Sequence, residues 1–347
     1  MKILYLGGDT GNSSHRHAAM RRLGHDVQVI DPWLFAPTIP GMALWCHHTG
    51  TAVVADIIAR RTARRLADQR FDLAWVESGE FVSPALVRTL RAQAHRVVNY
   101  NHDDPFGPRD GLRFRQYRAA VKEYDLVTVV RECNVAEARA VGARNVIHIY
   151  RSADEVAHAP RRLAEGDFRR WGSDVAFIGT WMPERGAFMR DLVERGVPLS
   201  IFGNRWQRAP EWSVIRKAWR GPAADAEEDY ARAVQCAKIC LGLVSKENRD
   251  LHTTRSLEIP ALGSLFLAER TSEHAALYRE DVEAVFWSDA AECAENCHAL
   301  LADEPRIRTI AAAGHARALA NGHYNEKAIT QILAIAMEAG TVTNARL

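Results

Sequence analysis

No apolar run in this 347-residue chain approaches the roughly 18 residues that a membrane-spanning helix needs, so no membrane span is expected. Charge of one sign is missing too. Lysine and arginine total 45 against 43 aspartates and glutamates. A net charge of +2 supplies no bulk pull toward nucleic acid or an acidic surface. The start, Met1-Lys2-Ile3-Leu4-Tyr5-Leu6, breaks at Gly7-Gly8, too early for a signal-peptide core. The Gly-x-Gly-x-x-Gly of a dinucleotide site is absent from the first glycine loop, Gly7-Gly8-Asp9-Thr10-Gly11-Asn12. Asp31, at the end of the second expected strand, resembles the ribose-binding acid of such sites and keeps a dehydrogenase reading open, beside the plainer one of a tight strand-to-helix turn. No Asp-x-Asp stands at a strand end of the second half, and no metal is expected.

Cysteines are few: 46, 133, 236, 240, 293 and 297. The pairs Cys236/Cys240 and Cys293/Cys297 fall on single helix faces, where zinc would want tighter spacing. Buried free thiols are the plainer reading, and a reducing, cytoplasmic compartment is expected.

What is present is the composition of a globular protein, 47% apolar and 25% charged, long enough for two cores. Short apolar runs at 2–6, 26–30, 72–76, 96–100, 126–130 and 146–150 read as strands, with amphipathic helices at 13–23, 51–69, 84–91, 112–123 and 135–141. This rhythm predicts a parallel sheet covered on both faces. The polar stretch 151–170 reads as a linker. A second series follows, with strands at 175–178, 199–202, 239–244, 265–268 and 284–286. Helices are expected at 184–195, 225–235, around Glu258, and at 290–301, 306–320 and 328–337. The expected fold is α/β, two doubly wound Rossmann-like domains over 1–160 and 171–323 facing each other across a cleft. A segment 324–347 would pack its helix back on the first domain. In such sheets ligands bind outside the carboxyl ends of the strands.

Three strand-end segments carry chemistry. Val98-Asn99-Tyr100-Asn101-His102-Asp103-Asp104-Pro105 runs a strand into a histidine and two carboxylates, suited to gripping a hydroxyl or moving its proton. A capped turn is the plain alternative. Phe177-Ile178-Gly179-Thr180-Trp181-Met182-Pro183-Glu184-Arg185 opens the second series with an anion-binding arginine, or a surface one. Asp250-Leu251-His252-Thr253-Thr254-Arg255-Ser256-Leu257-Glu258-Ile259-Pro260 sets two threonines and an arginine at the start of a short helix. Free N–H groups, the helix dipole and Arg255 suit a diphosphate there, and Glu258 suits ribose hydroxyls. The run Arg60, Arg61, Arg64, Arg65 reads as a solvated helix face, with contact to an anionic acceptor or membrane surface as the other reading; no aromatics interleave with it, against a nucleic-acid platform.

The stretch His252-Thr253-Thr254-Arg255-Ser256-Leu257-Glu258-Ile259-Pro260-Ala261-Leu262-Gly263-Ser264-Leu265-Phe266-Leu267-Ala268-Glu269-Arg270 resembles the C-terminal domain of CgeB-type proteins, which sit among the GT-B glycosyltransferases. Asp174-Val175-Ala176-Phe177-Ile178-Gly179-Thr180 and Asn101-His102-Asp103-Asp104-Pro105 support the likeness, which runs over residues 70–325. The resemblance implies an N-terminal acceptor domain and a C-terminal donor domain. It implies a donor diphosphate at Gly179, Thr180, Arg185, Thr253, Thr254 and Arg255, and ribose on Glu258. Asp250 stands where the first acid of the retaining family's Glu-x7-Glu pair would be. His102, with Asp103 and Asp104, would face the transferred sugar or the acceptor hydroxyl. No cofactor is implied beyond a nucleotide sugar as co-substrate; the acceptor is a glycan, small molecule or protein. The rival readings are a nucleotide-sugar epimerase and a catalytically silent sugar-nucleotide binding protein.

Overall fold

The computed structural model describes residues 1–51, 54–222 and 227–338. The chain forms two compact units. Unit 1 comprises Met1–Arg151, Ser245–Asp250 and the chain from Asn325 onward; unit 2 comprises Ser152–Val244 and Leu251–Tyr324.

Unit 1 carries a six-stranded parallel sheet. Its strands are β1 (Lys2–Leu6), β2 (Asp26–Ile30), β3 (Phe71–Glu77), β4 (Ala94–Asn101), β5 (Leu126–Val129) and β6 (Val146–His148), in the spatial order β2-β1-β3-β4-β5-β6. Alternation along each strand fills both faces. Leu4, Leu6, Ala74, Val76 and Val97 pack under the helices Val54–Leu66 and Pro84–Gln93. Ile3, Tyr5, Leu73, Trp75, Val98 and Tyr100 pack on the other face, which the helix Gly11–Arg22 covers with Ala19 and Met20 and the helix Asn325–Glu338 with Ile329, Ile332 and Leu333. On that face Tyr5, Trp75 and Tyr100 form a ladder, with centroids 6.5 and 5.7 Å apart and interplanar angles of 11° and 20°.

Unit 2 holds a second parallel sheet of six strands: β7 (Ser173–Ile178), β8 (Leu199–Phe202), β9 (Trp219–Gly221), β10 (Ala237–Gly242), β11 (Leu265–Glu269) and β12 (Val285–Trp287). The order β12-β11-β10-β7-β8-β9 is the dinucleotide-fold order, with its reversal between β7 and β10. Ligand chemistry in such a sheet belongs to the loops after those two strands, here from Gly179 and from Leu243 onward.

Several expectations need correction. The linker 151–170 is not a loose connector: Ser152, Ala153, Asp154, Ala157 and His158 are buried in unit 2, and Glu165–Trp171 is helical. The helix expected over 51–69 is Val54–Leu66, with Thr51 in a left-handed conformation; residues 52–53 lie outside the described residues. The helix expected from Asp225 is described from Glu227, with 225–226 likewise outside. Residues 339–347 of the expected C-terminal segment are also outside. The helix Met42–Thr49 and the edge strand β9 had no expectation. Neither shows a clear period: the helix is short and uncharged up to its histidines, and β9 pairs over three residues.

The turns after β7 and β8 touch through backbone. A Cβ added at Gly203 would sit 1.9 Å from the Gly179 carbonyl oxygen and 2.8 Å from Trp206 Nε1. Gly203→Ala should therefore lower stability by about 1–3 kcal/mol, the scale of overpacking against an unyielding neighbour. Calorimetry should show a lower melting temperature; a wild-type value would mean that these turns do not meet this closely.

Candidate functional site

In unit 1 the site is built around a buried ion pair. Glu77 ends β3, and Arg16 enters from the helix Gly11–Arg22. Arg16 Nε and Nη2 lie 3.0 and 2.9 Å from the two carboxylate oxygens. Both side chains are about 5% exposed or less. Tyr5 Oη and Trp75 Nε1 both donate to Glu77 Oε2, at 2.8 and 3.1 Å, so the aromatic ladder ends on this carboxylate. Arg16 also stacks over Tyr100 at 4.0 Å. The first glycine loop serves this pair: a Cβ at Gly7 would lie 2.6 Å from Glu77 Cβ. The loop is thus a tight strand-to-helix turn, in which Ser13 Oγ donates to the Gly8 carbonyl at 2.5 Å.

His102 follows β4. Its Nδ1 lies 3.3 Å from Glu77 Oε1 and its Nε2 3.7 Å from Asp103 Oδ2, with the side chain 44% exposed. Both ring nitrogens thus face carboxylates, while nearly half of the side chain stays exposed. Asp103 sits among cations. Burial pushes its carboxyl up, but His102, Arg113, Arg131 and Arg151 hold it below the usual range. Asp103, Ser78 and Arg113 are close neighbours, with Ser78 Oγ at 3.4 Å and Arg113 Nη2 at 3.7 Å from Asp103 Oδ2.

Asp104 has a different occupation. It is buried, and its carboxylate receives Arg249 Nε and Nη2, both at 2.7 Å, Asn134 Nδ2 at 2.9 Å and the Gly107 N–H at 3.1 Å. Arg249 also reaches Glu137 at 2.7 Å. Asp250 belongs to unit 1, not to the second unit where it was expected. Arg131 Nη2 and Arg151 Nη2 close on its Oδ1, and the same two guanidinium groups donate to the His102 carbonyl at 3.2 and 3.0 Å. Asp104 and Asp250 therefore hold the backbone around His102 and stand away from solvent.

In unit 2 the residues expected at the donor gather in two places. At the end of β7, Arg185 Nη1 donates to the Thr180 carbonyl at 2.8 Å and its guanidinium packs over Phe177 at 5.5 Å. Gly179 leaves room for the Phe177 ring beneath it: a Cβ there would be 2.9 Å from that ring. The helix Arg255–Ala261 carries the second set. Thr254 stands at its N-cap with helical dihedrals and no side-chain cap bond, so the expected threonine cap is not formed. Ser256 Oγ instead accepts the Thr253 N–H at 3.0 Å. Arg255 donates to Thr254 Oγ1 at 3.1 Å and lies 3.6 Å from Glu258.

Glu258 is 2% exposed and has two partners that the sequence did not reveal. Tyr230 Oη donates to Oε2 at 2.6 Å. His158 Nε2 lies 3.7 Å from Oε1. His158 Nδ1 accepts the Asp154 N–H at 2.8 Å, which places the ring proton on Nε2, facing the carboxylate. Burial pushes the Glu258 carboxyl up, but His158, Arg255 and the Tyr230 hydroxyl outweigh it and hold it below the usual range. Tyr230 and His158 carry no signal in the sequence; Glu77 does, since it stands in the strand-end stretch 77–80, where ligand chemistry is expected in such a sheet.

Among the described residues no three His, Cys, Asp or Glu side chains group as a metal site, and no helix is long and apolar enough to cross a membrane. Cys236, Cys240, Cys293 and Cys297 are buried free thiols; of the two pairs expected on one helix face only Cys293/Cys297 is there, because Cys240 lies in β10 and Cys236 just after the helix that ends at Gln235.

Residues 185–334 match the family model described as glycosyl transferase-like. No curated protein matches the chain. Among solved structures it is similar to Anabaena HepE in complex with UDP, at 14% identity and a TM-score of 0.63 over 96% of this chain and 100% of that one. Sucrose-phosphate synthase from Thermosynechococcus elongatus gives 14% identity and a TM-score of 0.66 over 99% and 98%. A Listeria monocytogenes protein assigned as a UDP-N-acetylglucosamine 2-epimerase gives 11% and 0.60 over 96% and 95%. At these identities the likeness defines the fold, two Rossmann-like units of GT-B type, and the family match extends over residues 185–334.

The Glu77 carboxyl titrates at about 2, because Arg16 and His102 outweigh the burial that would raise it from 4.5. A depressed folded value means stability that is complete above about 4.5 and is lost as pH falls toward about 2. Glu77→Gln should cost about 3–5 kcal/mol at pH 7, since it strands Arg16. The gap from wild type should close through that acid window. Urea melts at neutral pH and at stepwise lower pH test this; a neutral-pH deficit near zero would show that the pair does not hold the unit together.

Proposed function

We propose that this chain transfers a sugar from a nucleotide-sugar donor to an acceptor, in the manner of the CgeB-like glycosyltransferases. The observation that carries the proposal is the buried, ionised Glu258 one turn inside a helix that opens with Arg255, in a unit of dinucleotide-fold order whose sequence matches a glycosyl transferase-like family. In this reading Arg185, Arg255 and the N–H groups at Gly179-Thr180 and Thr253-Thr254 bind the diphosphate and stabilise the charge of the leaving nucleotide. Glu258, oriented by Tyr230 and His158, takes the ribose hydroxyls. His102 and Asp103 act on the transferred sugar or the acceptor hydroxyl. Glu77 orients His102 so that Nε2 is the nitrogen presented. Asp104 and Asp250 act through the backbone of the His102 turn. The proposal includes a metal-independent reaction, a cytoplasmic location and retention of anomeric configuration; the last rests on the Asp-x7-Glu spacing in sequence alone, since the Asp250 carboxylate is engaged by Arg131 and Arg151.

A second reading is an epimerase of the same fold, supported by the whole-chain likeness to the Listeria protein. Chromatography of a nucleotide-sugar panel without acceptor separates the two. Conversion to an isomeric nucleotide sugar favours the epimerase, whereas nucleoside diphosphate released only with acceptor favours transfer.

Two outcomes are expected of the transferase. Binding and turnover should dissociate. Arg255→Ala and Glu258→Ala should weaken nucleoside-diphosphate binding, the former by about 1.5–3 kcal/mol, the scale of a charge-assisted bond. His102→Ala should leave that binding nearly intact and lower turnover by on the order of 10²–10⁴ if it moves a proton. Calorimetry and initial rates on the same proteins decide; unchanged affinity in Arg255→Ala removes the diphosphate assignment. Activity should also survive EDTA, and a loss restored by Mn²⁺ or Mg²⁺ would refute the metal-independent step.

A further inference from the structure

From Pro32 to Cys46 unit 1 runs through fifteen residues without one charged side chain. Such a segment would ordinarily be core. Here it is a surface: Leu34 is 77% exposed, Leu44 64%, Ile39 59% and Trp45 41%. Residues 33–44 wrap around a hollow of about 720 Å³. The helix Met42–Thr49, which carries Leu44 and Trp45, is bounded by Gly41 and Gly50, both left-handed (φ 78° and 65°). The segment follows β2, so it lies at the carboxyl edge of the unit 1 sheet, the edge that carries His102.

Beside this apolar surface stands a basic one. The helix Val54–Leu66 exposes Arg60, Arg61, Arg64 and Arg65, two pairs one turn apart. Arg61 Nη1 donates to the Phe35 carbonyl at 3.0 Å, which fixes the helix against the uncharged segment. Among the described residues none of the four is ion-paired, although the chain elsewhere pairs its arginines freely. Protruding leucine, isoleucine and tryptophan next to unneutralised arginines match the two layers of an anionic bilayer surface. The apolar side chains enter the acyl boundary, tryptophan lies at headgroup depth, and the guanidinium groups face lipid phosphate. A protein partner would need acidic groups ringing an apolar plug; a bilayer supplies both layers along any direction of the patch.

We infer that unit 1 docks reversibly on anionic membranes through Leu34, Ile39, Leu44 and Trp45, with Arg60, Arg61, Arg64 and Arg65 on the headgroups. Binding is read without sugar transfer, so the inference stands or falls apart from the transferase reading. The test is flotation of the full chain with vesicles of phosphatidylcholine alone and of equal parts phosphatidylcholine and phosphatidylglycerol. The protein should float with the anionic vesicles, remain behind with the neutral ones, and release as salt rises. Leu34→Ser with Leu44→Ser, and separately Arg60→Gln with Arg64→Gln, should each lower partitioning on the order of tenfold or more. All four side chains are exposed, and Arg61 keeps its structural bond, so melting temperatures should match wild type. Failure of the wild type to float with either vesicle overturns the inference, and so does flotation that neither double variant reduces. A concentration-dependent dimer in sedimentation velocity, dissolved by the leucine changes and indifferent to vesicles, would show instead that a second copy covers the patch.

Discussion

The Arg16–Glu77 ion pair is the constraint around which unit 1 is arranged. Two opposite charges removed from water are costly unless every lone pair and proton finds a partner. Here the partners come from everywhere in the unit's centre: the β1 tyrosine, the β3 tryptophan, the face of the β4 tyrosine and the ring of His102. Satisfying the pair dictates that β1, β3 and β4 lie adjacent, that the turn after β1 lack a Cβ at Gly7, and that the helix after it enter low enough for Arg16 to reach. It also leaves His102 as the one partner half in water. A histidine held between the buried Glu77 carboxylate and Asp103 has a defined orientation and keeps nearly half of its side chain accessible.

Most of the strands were legible because parallel sheets buried on both faces write themselves as short apolar runs, and β1, β2 and β8 fall within the runs read from the sequence. What was not legible has physical reasons. The strand β9 pairs over three residues at an edge, too short for any period. Glu165–Trp171 is a polar, partly solvated helix inside what reads as a linker. The helix at Met42 sits in an uncharged stretch where apolar content says nothing about which residues face inward.

The candidate site shows the same division. Residues next to one another in sequence, such as His102, Asp103 and Asp104, could be grouped at once, but their separate employment could not. Asp103 stays at the site, while Asp104 turns inward to Arg249, more than a hundred residues away. Asp250 was read by its spacing from Glu258, yet its charge is matched by Arg131 and Arg151, which sequence distance hides. Tyr230 and His158 meet Glu258 only through tertiary folding. Pattern reads which groups are present at a strand end, and ion pairing decides which of them are left available.

The helix Asn325–Glu338 has a consequence for how the protein is made. It packs beside the helix Gly11–Arg22 on one face of a sheet whose strands are all complete by His148. During synthesis the part of that face which Ile329, Ile332 and Leu333 cover therefore emerges long before its cover. At ordinary elongation rates the intervening chain takes on the order of ten to thirty seconds to translate. Through that interval this part of the apolar face lacks its cover and is a target for holding chaperones. The first unit, begun first, is the last to close, and its maturation is timed by the completion of the second.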